Sequence, residues 1–343
     1  MVEGGGQLLL IYILRRLALM VFVLWGVTLA AFVISHVVPA DPAAAALGNN
    51  AREEQLQDFR VKNGLDKPQV VQYAVYMGKL FHGDLGVSLR TQAPIAADLR
   101  QFFPATLELT LVAVVFAVLI GLPLGLIAAL RHNRAPDLLA RIFALVGGAT
   151  PVYWLAILAL NVFHERLGWL PGPGRIDAYS LAPPVRTGLV TVDALLAHDP
   201  EVFVDALRHL VLPGLVLGAF SAALLTRMTR SAMLEVLGQD YIRTARAKGL
   251  PGGRVVWKHA LRNASLPILT VLGSLFGSLL TGAVLTETIF SWPGIGGYAT
   301  SSAVSLDFPA VMGVTLVAGL AYSLVNLLVD LLYVGFDPRV SYA

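Results

Sequence analysis

The chain has 343 residues, of which 56% are apolar and only 14% charged, with no cysteine and a formal charge of +3. A mean hydropathy of +0.71 leaves too few polar residues to cover a soluble globule, so the bilayer is the natural solvent. The lack of cysteine excludes disulfides and thiolate metal sites; the small basic excess fits basic cytoplasmic loops, and nucleic acid is not an expected partner.

Stretches without Asp, Glu, Lys or Arg run from Leu17 to Val38, Leu109 to Leu130, Ile142 to Phe163, His209 to Thr226, Ala264 to Thr286 and Phe308 to Val329. Each approaches the ~20 residues needed to cross the hydrocarbon core, where only internally bonded helices are stable. The expected fold is therefore an all-α membrane protein with six transmembrane helices. Arg15 and Arg16 precede the first, and Val38-Pro39-Ala40 is similar to a signal cleavage site. The apolar run exceeds the roughly 7–15 residues of a signal core, so it is read as a retained helix.

Basic residues orient the spans. With the N-terminus inside, the cytoplasmic segments hold Arg15, Arg16, Arg131, Arg134, Arg141, the basic run from Arg227 to Arg262, and Arg339. The segment Ser291 to Asp307, read as a turn between the last two spans, has neither Lys nor Arg, so both termini are expected to be cytoplasmic. The implied organisation is 1–38 for the N-terminus and first helix, 39–104 for an extracytoplasmic cap, 105–335 for the core and 336–343 for a tail. The segment 39–104 mixes charges of both signs around Gly83-Asp84-Leu85-Gly86 and has two readings, a small folded cap or a solvated loop. The loop from Glu165 to Arg208, with Pro171, Pro173, Pro183 and Pro184, is expected to cover the outer mouth irregularly.

The cytoplasmic segment 231–265 is too polar to enter lipid, yet Asp240 to Gly249 has helical grammar. Asp240 is placed to cap the start, Gly249 to take the left-handed closing position, and Pro251 forbids continuation. Tyr241, Thr244, Ala245 and Lys248 then share one face, fit either for docking or for lying along the lipid surface.

The run Tyr241-Ile-Arg-Thr-Ala-Arg-Ala-Lys-Gly-Leu250, with Lys258-His259-Ala260-Leu261-Arg262-Asn263 and Leu266-Pro267, resembles the cytoplasmic signature of binding-protein-dependent ABC importer permeases. Gly64-Leu-Asp-Lys-Pro68, Gly83-Asp-Leu-Gly-Val-Ser88, Pro104-Ala-Thr106, His209-Leu-Val-Leu-Pro213, Glu287-Thr-Ile-Phe-Ser-Trp-Pro-Gly-Ile-Gly296 and Asp337-Pro-Arg-Val340 narrow the likeness. Together they are similar to the first permease subunit of the peptide/nickel importers, and the stretch 174–176 is similar to dipeptide members. The resemblance implies a type I ABC importer permease fold in the bacterial cytoplasmic (inner) membrane. It implies a second homologous permease, two ATP-binding subunits that bind ATP and Mg, an extracytoplasmic substrate-binding protein, and surrounding membrane lipid. It assigns Tyr241, Thr244, Ala245, Lys248 and Gly249 to a coupling helix seated on the ATPase, with Thr244 standing where the family has an acidic residue. The chain itself has no Gly-x-x-x-x-Gly-Lys-Ser/Thr loop to bind nucleotide, and the resemblance implies a transport subunit with no cofactor or metal of its own, not an enzyme.

Ser274, Ser278 and Thr281 are candidates to line a path, or equally to serve helix packing. Glu287 is a candidate gate or a brace for the turn at Pro293 and Gly294, and Asp330 a structural partner for a cytoplasmic Arg. Gly121-x-x-x-Gly125, Gly214-x-x-x-Gly218 and Gly273-x-x-x-Gly277 suit close helix contact, and Pro151, Pro213 and Pro267 suit kinks or helix starts. An intramembrane metalloprotease is disfavoured because His164-Glu165 lacks a second His four positions on. An ion-coupled transporter is disfavoured because the spans carry no mid-membrane charge. Within the importer class, nickel chelates, glutathione and other small solutes stand as alternatives to dipeptides or short oligopeptides.

Overall fold

Apolar runs that find no backbone partner in lipid must close their hydrogen bonds internally, and this chain does so as helices. A computed structural model describes residues 3–37, 42–48, 51–62 and 64–336; among these the extended pairing is an isolated bridge between Val87 and Pro94. The motif Asp337 to Val340, Arg339, the tail beyond residue 336 and Val38-Pro39-Ala40 lie outside the described residues.

In chain order the helices begin with α1 (Glu3–Val37), α2 (Pro42–Leu47), α3 (Glu53–Lys62), α4 (Gln69–Phe81) and α5 (Ile95–Leu130). Then come α6 (Ala135–Ala149), α7 (Val152–Ala159) with a π-helical turn to Arg166, α8 (Val190–Leu196) and α9 (Pro200–Leu237). The remainder is α10 (Asp240–Ala247), α11 (Gly252–Arg254) with its π-helical continuation, α12 (Leu261–Gly282), α13 (Val284–Ile289), α14 (Ile295–Val304) and α15 (Phe308–Phe336).

Among the described residues five helices are long and apolar enough to cross a membrane, or six if the bent pair Ala135–Ala149 and Val152–Arg166 forms one span. That pair corrects one expectation. The stretch from Ile142 to Phe163 is not a straight helix but turns by 100° between α6 and α7. Pro151 has no N–H to donate and drives Thr150 out of the helical region, to φ −76° and ψ 124°, so the ladder stops there and restarts. Pro213 and Pro267, by contrast, are accommodated inside α9 and α12. A second correction concerns Ser291 to Asp307, which is no simple turn: it contains the ten-residue helix α14.

The chain divides into two compact units, Met1–Ala105 with Pro293–Ala321, and Thr106–Trp292 with Tyr322–Ala343. In the first, α4 lies against α1: Thr28 Oγ1 is 3.1 Å from the Tyr73 hydroxyl, and the Phe32 and Tyr73 rings meet edge-on at 5.2 Å. Ile95, Leu99, Ile295, Tyr298, Ala310 and Val314 form a core. Two buried carboxylates pin the loop before α5 to it. Asp98 accepts from Thr91 Oγ1 at 2.7 Å and from the Tyr298 hydroxyl at 2.8 Å, and Asp307 from Ser88 Oγ at 2.5 Å. Burial, followed by this bond to Asp98, pushes the Tyr298 hydroxyl's pKa well above the usual phenol value.

In the second unit α9 is the spine, and glycines set its distance from α5. A Cβ on Gly125 would stand 2.6 Å from Thr229 Cβ and 2.7 Å from the Thr226 carbonyl oxygen; one on Gly218 would stand 2.7 Å from the Ala113 carbonyl oxygen. The same holds for Gly273 against Val329 and Gly277 against Tyr322. The Gly-x-x-x-Gly spacings thus mark real close approaches. Gly125→Ala is expected to cost about 1–3 kcal/mol, because a backbone atom is in the way. Gly26→Ala, where an added Cβ meets nothing within 4 Å, should be neutral or slightly stabilising. Unfolding of both variants in mixed micelles checks this, and equal behaviour would contradict it.

Candidate functional site

The polar segment after α9 builds a short helix held by one face. In α10, Ile242 is fully buried and Ala245 is 7% exposed; both join an apolar cluster with Met233, Val255 and Ala260. Tyr241, Thr244 and Lys248, at i, i+3 and i+7, remain exposed on another face. Ala245 therefore does not belong to the exposed face expected for it. Spaced three residues from Ile242, the strongest apolar residue of the helix, it is drawn inward as part of the anchor.

The ends of α10 also differ in part from expectation. Gln239 occupies the N-cap position without a side-chain bond, while Asp240 is the first helical residue and pairs with Arg243 at 3.1 Å in solvent. The C-terminus closes as expected. Gly249 has φ +73°, its N–H donates to the Arg246 carbonyl at 2.9 Å, and Leu250 N–H donates to the Ala245 carbonyl at 3.3 Å. This is a Schellman closure, which requires a residue able to sit in the left-handed region.

A charged anchor ties α6 to α9. Asp137 is fully buried and accepts from Arg230 Nε at 2.6 Å and from a second Arg230 nitrogen at 3.0 Å, and also from the Asn133 N–H at 2.9 Å. Arg141 lies 3.7 Å away. Such a forked pair fixes geometry as well as charge.

Along α12, Thr270, Ser274, Ser278 and Thr281 recur at intervals of four, four and three and are all exposed, while Gly273 and Gly277 on another face pack against α15. Thr270 Oγ1 donates to the Leu266 carbonyl at 3.0 Å and Thr281 Oγ1 to the Ser278 carbonyl at 3.1 Å, so these hydroxyls are tolerable in an apolar span. Thr270 belongs to the stripe and was not among the candidates; extending the Ser274, Ser278, Thr281 spacing one turn back finds it. Glu287 is not on this stripe. It is 1% exposed on α13 and accepts from Thr106 Oγ1 at 2.6 Å, while its own carbonyl receives the Trp292 N–H at 2.7 Å. The Glu287 carboxylate is thus held by Thr106 within the second unit.

The long loop before α9 is pinned rather than loose. Arg175 pairs with the buried Glu108 of α5, donates to the Gly188 carbonyl at 3.0 Å and stacks 5.5 Å over the Trp292 ring. Thr191 adds two bonds to Glu108, from its N–H at 2.8 Å and its hydroxyl at 2.6 Å. Asp193 closes the turn before α8 by accepting from Thr187 and Gly188. Burial alone would raise its pKa, but these donors outweigh it and hold the carboxyl below its ordinary range. Glu108, Arg175, Asp137 and Arg230 were not anticipated. Among the described residues no group of three or more His, Asp or Glu side chains is gathered as a metal site.

The binding-protein-dependent transport system inner membrane component model matches residues 121–342, and its N-terminal companion matches residues 9–110. A probable D,D-dipeptide transport system permease protein, DdpB of Escherichia coli K12, is 50% identical over 94% of this chain and 95% of its own length. The dipeptide transport system permease protein DppB of Alkalihalophilus pseudofirmus is 44% identical over 97% of this chain and 100% of its own. The di/tripeptide permease protein DppB of Pseudomonas aeruginosa is 45% identical over 97% and 99%. With the family's two models matching most of its length, this chain belongs to the binding-protein-dependent transport system inner membrane components, the permeases of the peptide/nickel ABC importers.

Proposed function

We propose that this permease subunit carries dipeptides or short oligopeptides, received from an external binding protein and moved by alternating access. Family membership makes it a multi-pass component of the bacterial inner membrane, with ATP hydrolysis on separate ATPase subunits. The observation that carries the cargo is the near full-length similarity to permeases named for dipeptides. We place six spans with both termini in the cytoplasm, the segment 39–104 outside as a cap, and 231–265 inside as the coupling loop. A second homologous permease and two ATPase copies complete the core.

In this reading α10 receives the force. Its exposed Tyr241, Thr244 and Lys248 meet the ATPase, Gly249 shapes the exit, and Ala245 with Ile242 transmits the push into the membrane body by rigid packing. The hydroxyl stripe of α12 faces the path, Ser274, Ser278 and Thr281 offering donors and acceptors to a peptide backbone. As the natural chain has no cysteine, single cysteines report cleanly. Cysteine at Ser278 should react with a charged, water-soluble maleimide, while cysteine at Val21, 63% exposed on the apolar α1, should not. Equal, negligible reaction would assign the stripe to lipid or a helix contact.

The cargo is tested by ATP hydrolysis of the reconstituted complex with its binding protein, offered L-dipeptides, D,D-dipeptides, longer peptides, glutathione and nickel chelates. Stimulation by dipeptides supports the reading. Stimulation by another solute alone keeps the importer and removes the peptide.

A further inference from the structure

The first compact unit contains a cavity of ≈ 660 Å³ that the transport reading does not use. Its position is set by two membrane spans of that unit. Phe32 and Ser35 close the apolar span of α1, and Phe308, Pro309 and Met312 open that of α15. Between them stand α3, α4 and the loop around Gly86.

The lining is amphipathic. Phe32, Phe308 and Met312 supply an apolar floor, whereas Arg60, Lys62, Lys67 and Lys79 stand with Asp84, the one carboxylate among the described lining residues. Arg60 is paired with Glu53 at 3.1 Å, and Asp84 accepts the Gly86 N–H at 2.8 Å; Lys62, Lys67 and Lys79 still outnumber the Asp84 carboxylate in the lining. The Tyr76 hydroxyl on the same wall is buried and has no hydrogen-bond partner. Burial, then the neighbouring Tyr73, pushes its pKa up to about 12, so it stays a donor at neutral pH. A buried donor without an acceptor is costly unless something fills its place.

The helix that carries Tyr76 also touches a span inside its apolar stretch. Tyr73 and Met77 of α4 reach Thr28, seven residues or roughly 10 Å before the span's end at Ser35. Val71, Val75 and Phe81 of α4 are exposed at 42%, 47% and 81%. Exposed apolar side chains on this helix, with Lys79 on it and Lys67 just before its start, suit the edge of a bilayer rather than water.

From this geometry we infer that the cavity is a binding site for one anionic phospholipid of the surrounding bilayer. Its phosphate sits among Lys62, Lys67 and Lys79 and accepts from the Tyr76 hydroxyl. Its acyl chains run along Phe32 and Met312. The lipid would fasten α3 and α4 to the outer ends of α1 and α15, and its binding is independent of cargo.

The test is native mass spectrometry of the delipidated full-length chain titrated with phosphatidylglycerol or phosphatidylcholine. Phosphatidylglycerol should be retained in strong preference. Lys67→Gln with Lys79→Gln should weaken it about thirtyfold, while the arginine pair Lys67→Arg with Lys79→Arg should keep it. Tyr76→Phe should weaken it without altering the lipid preference. Excess inorganic phosphate should leave the lipid bound. Equal retention of both lipids, indifference to the glutamine pair, or displacement by free phosphate would each overturn the inference.

Discussion

Arg175→Ala is expected to destabilise the second unit by about 3–5 kcal/mol, the cost of leaving a buried charge without its partner. Glu108 is 4% exposed and already has one oxygen engaged by Thr191, so no water shell replaces the guanidinium. The same change removes the bond to Gly188 and the stacking on Trp292, and so unpins the loop from Gly174 to Thr191. Glu108→Gln should be nearly as damaging, since Arg175 is then the stranded charge. Glu108→Leu with Arg175→Met should recover much of the loss, because two apolar groups strand nothing. Denaturant titration of the purified chain reads all three, and an Arg175→Ala variant within about 0.5 kcal/mol of the parent would refute the pairing.

Tyr241→Ala with Thr244→Arg is expected to abolish uptake while leaving the chain inserted and folded. Both side chains are exposed and contribute nothing to the cluster beneath them, so the fold has no reason to respond. Removing an aromatic anchor and adding a bulky charge at a docking face typically costs more than about 2 kcal/mol, or over thirtyfold in ATPase affinity. Ala245→Glu should fail differently. It places a carboxylate beside Ile242 and Val255 and is expected to lower stability as well as transport. Gly249→Val adds strain of about 1–3 kcal/mol at φ +73° and should loosen the helix end. Uptake assays paired with micelle unfolding separate the two classes; normal uptake by the Tyr241 and Thr244 variant would remove α10 from the coupling role.

The parts of this structure that follow a local rule could be read from the chain. Five of the apolar windows lie on spanning helices, the Gly-x-x-x-Gly spacings mark close contacts, and Gly249 closes α10 from the left-handed region. What escaped is non-local. Glu108 and Arg175 are 67 residues apart and Asp137 and Arg230 are 93 apart, and a search for charge-free windows leaves all four outside the windows and pairs none of them. The break at Pro151 was marked by its residue type, but the 100° bend is set by how α6 and α7 pack on α9. Ala245 was misplaced because helical spacing alone puts it 40° from Tyr241; only the apolar cluster decides which neighbour it follows. The place of Glu287 near the end of a span suits a gate or a brace, and its burial against Thr106 depends on a residue 181 positions away.

The most direct measurement is accumulation of a labelled dipeptide in proteoliposomes that hold this chain with its companion permease, ATPase subunits and binding protein. The account predicts accumulation that requires ATP on the ATPase side and is lost in the Tyr241 and Thr244 variant. Accumulation that proceeds without ATP, or none with any dipeptide while another solute is carried, would contradict it.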